Sequence, residues 1–155
     1  RDEADFRRAL AAAGIPFEVV PAPTSAIAAP AYAGIPVTER GVAASVAFAT
    51  GATAAGRSPD WRGLATSVDT LVILMANGSL PRIVAELMVG GRAPSTPCAV
   101  IERGTLDDQR VVTCALSDLP SLKAASPSLI VVGDVAADDR RVAWFGEVVS
   151  AATTG

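Results

Sequence analysis

Histidine is absent from the 155 residues. That removes the commonest general acid–base side chain and the commonest zinc ligand, and with them Ser–His and Cys–His nucleophilic pairs. Of thirteen basic residues one, Lys123, is a lysine. The two cysteines, Cys98 and Cys114, form neither a CxxC nor a metal-ligand spacing. Aromatic residues make up only 5%. Long apolar runs are missing too. The strongest, "TLVILM", falls far short of the roughly 18–20 residues that span a bilayer. The chain opens on the charged "RDEADFRR" rather than a basic and then apolar leader, so the reading is a cytoplasmic protein without a membrane role. A net charge of −3 argues against a nucleic-acid partner, for which a basic field is the usual footprint. No GxGxxG occurs, and "GRAPSTP" is not a phosphate-binding loop.

What remains is a chain half hydrophobic and moderately charged, of a size for one compact domain or one domain with part of another. Residues 2–13 read as a helix with Phe6, Leu10 and Ala13 on one face and Gly14 as its stop. "FEVV" (17–20) reads as a short strand, followed by an alanine-rich helix from Ser25 to about Gly34 that Pro30 would disturb if it ran long. "SVAFAT" (45–50) and "TLVILM" (70–75) read as strands, with Asp60 capping a short turn around Trp61 between them. The clearest helix is "SLPRIVAELMVGG" (79–91), with Ser79 as its cap, Ile83, Leu87 and Met88 as its apolar face, and Gly90-Gly91 at its end. "PCAVIE" (97–102) and "QRVVTCAL" (109–116) form a hairpin that would bring Cys98 near Cys114; Ser117 starts a short helix and "SLIVVG" (128–133) is the last strong strand. The pattern is an α/β fold with a mixed sheet flanked by helices, one antiparallel hairpin interrupting the alternation. A helix running straight into a strand is half of a crossover, which suggests the C-terminal piece of something longer.

No catalytic dyad or triad emerges from the residues themselves, and paired acids such as Asp107-Asp108 and Asp138-Asp139 read as solvated turn residues. In open α/β sheets ligands sit outside the carboxyl ends of strands. The candidate positions therefore follow "FEVV", "LVILM" and "AVIE".

Those places also carry a resemblance. "VVPAPTSAIAAPAYAGIPVTERG" (19–41), "SVAFATGA", "DTLVILMANGSLPRIVAEL", "PCAVIERGTLDDQRVVTCALSDL", "PSLIVVGDV" and "AWF" resemble, in order and spacing, the segments of uroporphyrinogen-III C-methyltransferases, within the tetrapyrrole methylase family. The similarity runs from about residue 9 to 146. It implies two α/β domains, a homodimer, and S-adenosyl-L-methionine in the interdomain cleft, with S-adenosyl-L-homocysteine as product and a tetrapyrrole as substrate. Residues 1–37 would be the end of an N-terminal α/β domain, and 42–150 the C-terminal α/β domain.

By position, the resemblance implies cofactor contacts at Thr24, Ser25, Met75 and Gly104, and a substrate-carboxylate contact at Arg40. The plain alternatives are an ST turn at Thr24-Ser25, core packing for Met75 and a turn glycine at Gly104. Ala22 stands where the family has glycine, and Glu39 and Ala52 stand where it has histidines. The implied activity is methylation of uroporphyrinogen III to precorrin-2, in sirohaem or cobalamin synthesis, by a chain inactive alone. A non-catalytic binding or assembly module of the same fold, or a methylase of a later corrin intermediate, are the alternatives.

Overall fold

The computed structural model describes residues 3–52, 57–76 and 78–145, and the backbone of 147–150. Four α-helices and six strands appear in the order α1 (Glu3–Ala12), α2 (Ser25–Tyr32), β1 (Val46–Thr50), α3 (Trp61–Ser67), β2 (Thr70–Leu74), α4 (Leu80–Val89), β3 (Pro97–Glu102), β4 (Arg110–Ala115), β5 (Ser128–Val132) and β6 (Glu147–Ser150). The strands form one sheet in the order β1-β2-β5-β3-β4-β6. It is mixed more deeply than a single hairpin would make it. β1–β2 and β4–β6 pair parallel, whereas β2–β5, β3–β5 and β3–β4 pair antiparallel. Mixing arises because β5 inserts between the parallel-running β2 and β3, a long-range pairing that no local pattern encodes.

The central strands are buried on both faces, as their near-continuous apolar runs require. Alternation sends Leu71, Ile73, Cys98, Val100, Ile130 and Val132 to one face, where Trp61 and Ala65 of α3 and Leu80, Ile83, Val84 and Leu87 of α4 cover them. Val72, Ala99, Ile101, Leu129 and Val131 face the other way, onto Ala26, Ala29 and Ala33 of α2. To the cover of that second face α2 contributes alanine, while Ile35, Ala43, Val135 and Ala136 supply the rest.

Several expectations need correction. "FEVV" forms no strand: residues 15–24 have no regular structure, and Phe17, Val19 and Val20 are exposed. A strand needs a ladder partner, and no described element lies beside it. Helix α1 forms, but none of its residues is buried, so its apolar face is unpartnered. Ser79 does not cap α4 with its side chain; its hydroxyl donates instead to the Gly51 carbonyl at 2.9 Å. The buried face of α4 is Leu80, Ile83, Val84 and Leu87, and Met88 lies outside it, 37% exposed. The Asp60 cap forms, Oδ1 accepting from Gly63 N at 3.0 Å, and it starts a full helix rather than a turn. Part of the loop expected over 51–60 falls on residues 53–56, outside the described residues.

Cys98 and Cys114 are directly opposite across β3 and β4 and are free thiols. Burial pushes the Cys98 thiol well up and that of Cys114 up to about 11.

Asp69, at the entry to β2, ties that strand to β1: its Oδ2 accepts from Ala44 N at 2.9 Å, Ser45 N at 3.0 Å and Ser45 Oγ at 2.8 Å. The Ser45 hydroxyl first, then those amides, holds the carboxyl below its ordinary value. A depressed folded value stabilises the fold above the unfolded pKa of about 3.9, and the effect is lost as pH falls through the folded value. Asp69→Asn is therefore expected to lower the melting temperature at pH 7 and to flatten its decline below about pH 4. An unchanged acid limb would contradict this.

Candidate functional site

At one end of the sheet, where β2 and β3 finish and β5 begins, a cavity of about 260 Å³ is lined by Ser25, Ala29, Leu74, Met75, Ile101, Gly104, Pro127, Ser128 and Leu129. A wider trough of about 560 Å³ continues from it along Met75, Gly78, Ser126, Pro127 and Ser128. The position matches two of the three strand ends singled out in the sequence, and three of the four expected cofactor contacts, Ser25, Met75 and Gly104, meet in this one space.

Each is placed by local chemistry. Thr24 is the N-cap of α2: its Oγ1 accepts from Ala26 N at 3.3 Å, and its carbonyl accepts from Ile27 N and Ala28 N. One lone pair of its hydroxyl thus serves the helix, and Thr24 does not line the cavity; the next residue, Ser25, does. Met75 follows the last residue of β2 with φ +54°, and its side chain is 63% exposed, so core packing does not account for it. A non-glycine residue there costs on the order of 1–3 kcal/mol, and such residues gather at ligand sites. Gly104 is a position of close approach. A Cβ there would press into Ala29 Cβ and lie 3.2 Å from Ala29 Cα, so only glycine lets the β3–β4 turn close against α2. The flanking Arg103 and Thr105 take the positive φ values instead, +50° and +73°. Arg103 N donates to the Pro127 carbonyl at 2.8 Å, which fixes that turn to the entry of β5.

Arg40 is not among the lining residues. It is exposed on the turn closed by the Glu39–Ala43 bridge, and no ion pair involves it among the described residues. Its neighbour Glu39 is paired with Arg140 at 3.7 Å. Ala22 is not among the residues of positive φ, and alanine in place of glycine there carries no backbone strain.

Sequence reasoning missed Ala29, Leu74, Ile101, Pro127, Ser128 and Leu129. Leu74 and Ile101 could have been read from the strand ends. The Pro127 side depends on β5 pairing between β2 and β3, which the sequence does not display.

The walls are mostly apolar with two serines, Ser25 and Ser128, among them, the usual make-up of a small-molecule site. Among the described residues no group of three or more His, Cys, Asp or Glu could hold a metal ion, and no helix is long and apolar enough to cross a membrane.

Comparison with known proteins agrees with this geometry. Residues 4–120 match the family model of the tetrapyrrole (corrin/porphyrin) methylases. Siroheme synthase 2 of Aeromonas hydrophila is 51% identical over 141 residues, covering 89% of this chain and 30% of that protein. Siroheme synthase of Tolumonas auensis is 50% identical over 146 residues, covering 92% and 31%. The crystal structure of uroporphyrin-III C-methyl transferase from Thermus thermophilus complexed with S-adenyl homocysteine superposes with a TM-score of 0.74 at 34% identity, over 85% of this chain and 57% of that one. Cobalt precorrin-4 methyltransferase, at 21% identity and a TM-score of 0.73, shares the fold. The chain spans about a third of the length of the curated relatives it matches. With its mixed α/β sheet, its strand-end cavity and a family match over most of its length, the chain belongs to the tetrapyrrole methylase family.

Proposed function

We propose that this chain forms the C-terminal part of an S-adenosyl-L-methionine-dependent methyltransferase that converts uroporphyrinogen III to precorrin-2. In this reading residues 1–37 close an N-terminal α/β domain and 42–150 make the C-terminal one. The observation that carries it is the convergence of Ser25, Met75 and Gly104 on one cavity, three residues that lie far apart in the chain and share a motif resemblance. The reading places the protein in the cytoplasm as a homodimer, in sirohaem or cobalamin synthesis.

The residues present would do limited work, and methyl transfer asks for little. The cofactor, when bound, supplies an activated methyl group on sulfur. Ser25 and the 104 turn would orient it, while Met75, Leu74 and Ile101 exclude water from its apolar parts. Thr24 serves by capping α2. Arg40 would hold a carboxylate of the tetrapyrrole by a charge-assisted bond. Orientation by these residues can supply roughly 7–11 kcal/mol of a barrier in favourable cases.

Calorimetric titration with S-adenosyl-L-homocysteine tests the reading. Saturable one-to-one binding is expected, with no methyl transfer to uroporphyrinogen III by this chain alone; absence of binding would remove the support for a cofactor site. In the whole enzyme, Arg40→Met is expected to raise KM for the tetrapyrrole about tenfold, the worth of one charge-assisted contact, and to leave cofactor affinity unchanged. An unchanged KM would take Arg40 out of the substrate site.

A further inference from the structure

The segment from Arg141 to Phe145 lies across the C-terminal end of α2, more than a hundred residues away in sequence. Arg141 Nε donates to the Ala33 carbonyl at 3.1 Å, Val142 N to the Gly34 carbonyl at 3.1 Å, and Trp144 Nε1 to the Ala31 carbonyl at 3.1 Å. A helix end leaves its last carbonyls short of donors; Ala31 O already accepts from Gly34 N, and the segment adds donors at Ala31, Ala33 and Gly34. The rings of Trp144 and Phe145 each lie 5.0 Å from that of Tyr32, the last residue of α2. The Arg141 side chain is 2% exposed, closed in beneath the crossing.

The same segment reaches the other wall of the cavity. Gln109, 2% exposed, donates from Nε2 to the Phe145 carbonyl at 3.3 Å and accepts at Oε1 from Thr105 N at 2.7 Å. One segment therefore ties together α2, which carries Ser25 and Ala29, and the turn that carries Gly104. Helix α2 meets the sheet through Ala26, Ala29 and Ala33, small side chains that offer little area to fix its tilt. At about 1.5 Å per residue this eight-residue helix is about 12 Å long, so a tilt of about 10° hinged at its C-terminal end moves the Ser25 end by about 2 Å.

We propose that Arg141–Phe145 is a strap that sets the separation of α2 from the 104 turn, so that Arg141, Trp144 and Gln109 are positioning residues for the ligand of the cavity. The proposal rests on the cofactor reading above. The strap acts through the C-terminal carbonyls of α2 and through Gln109.

Trp144 gives the cleanest test because it is 60% exposed, so the fold does not depend on burying it. Ala31 O also keeps its bond from Gly34 N when the indole is lost. Trp144→Ala is expected to weaken S-adenosyl-L-homocysteine binding about tenfold and to lower the melting temperature of the unliganded chain by only a few degrees, the worth of its ring contacts and one hydrogen bond. Trp144→Phe, which keeps a ring but not the N–H donor, should recover about a threefold share of that loss. Hydrogen exchange at the α2 amides and at Thr105 should quicken in Trp144→Ala while the β2 and β5 amides stay as in the parent. Wild-type affinity in Trp144→Ala, or exchange unchanged at α2 and Thr105, would overturn the strap. Failure of the parent chain itself to bind the ligand would instead overturn the cofactor reading and this role with it.

Discussion

Gly104→Ala is expected to weaken S-adenosyl-L-homocysteine binding by more than tenfold and to lower the melting temperature by several degrees. The added Cβ meets Ala29 Cβ and stands 3.2 Å from Ala29 Cα and 3.4 Å from Ile101 Cγ2. Helix backbone cannot rotate away as a flexible side chain would, so either α2 or the turn must move. Overpacking of this kind costs about 1–3 kcal/mol, and for a chain of this size each kcal/mol is worth roughly 2–4 °C. Binding suffers along with stability because the displaced pair both line the cavity. Thermal melting and a ligand titration on the same sample separate the two effects. Affinity within twofold of the parent would show that the approach of Gly104 to α2 is a packing detail without bearing on the site.

Gly34→Ala should destabilise the fold by about 2–4 kcal/mol, through two costs that add. Gly34 has φ +72°, and a Cβ there would fall on the carbonyl of Val142, 2.5 Å from its carbon. The conformational cost alone is on the order of 1 kcal/mol, and the collision with backbone adds about 1–3 kcal/mol. Gly41 provides the control: its φ is +81°, yet a Cβ there meets nothing within 4 Å, so Gly41→Ala should show the smaller cost only. Urea unfolding of both variants measures the difference. Equal losses would mean that the strap gives way at no cost.

Much of the scaffold is legible in the sequence because it is local. Runs such as "LVIL", "AVI" and "LIVV" are apolar on both faces, which marks central strands, and β2, β3 and β5 appear within a residue or two of where the pattern puts them. Features that depend on distant partners are not legible. "FEVV" has strand-forming residues but no neighbour to pair with, so it stays without regular structure and exposed. Ser79 sits at a helix start with the right chemistry for a cap, but its side chain is turned to donate to the distant Gly51 carbonyl instead of accepting from the helix.

The site divides in the same way. Ser25, Met75 and Gly104 can be placed because strand ends and motif positions identify them. The β5 side of the cavity depends on sheet order. The strap is invisible because its contacts are side-chain donors meeting helix carbonyls over a hundred positions earlier; nothing in "RRVAWF" announces them.

Amide chemical-shift mapping of the ¹⁵N-labelled chain with S-adenosyl-L-homocysteine reads out directly whether the strand-end cavity holds the cofactor. Saturable shifts are expected at Ser25, Met75 and Gly104 with one common dissociation constant, and none at Arg92, which lines a separate polar hollow with Asp69 and Asp134. Shifts that left those three residues unmoved, or that centred on Arg92, would contradict a cofactor site at the strand ends.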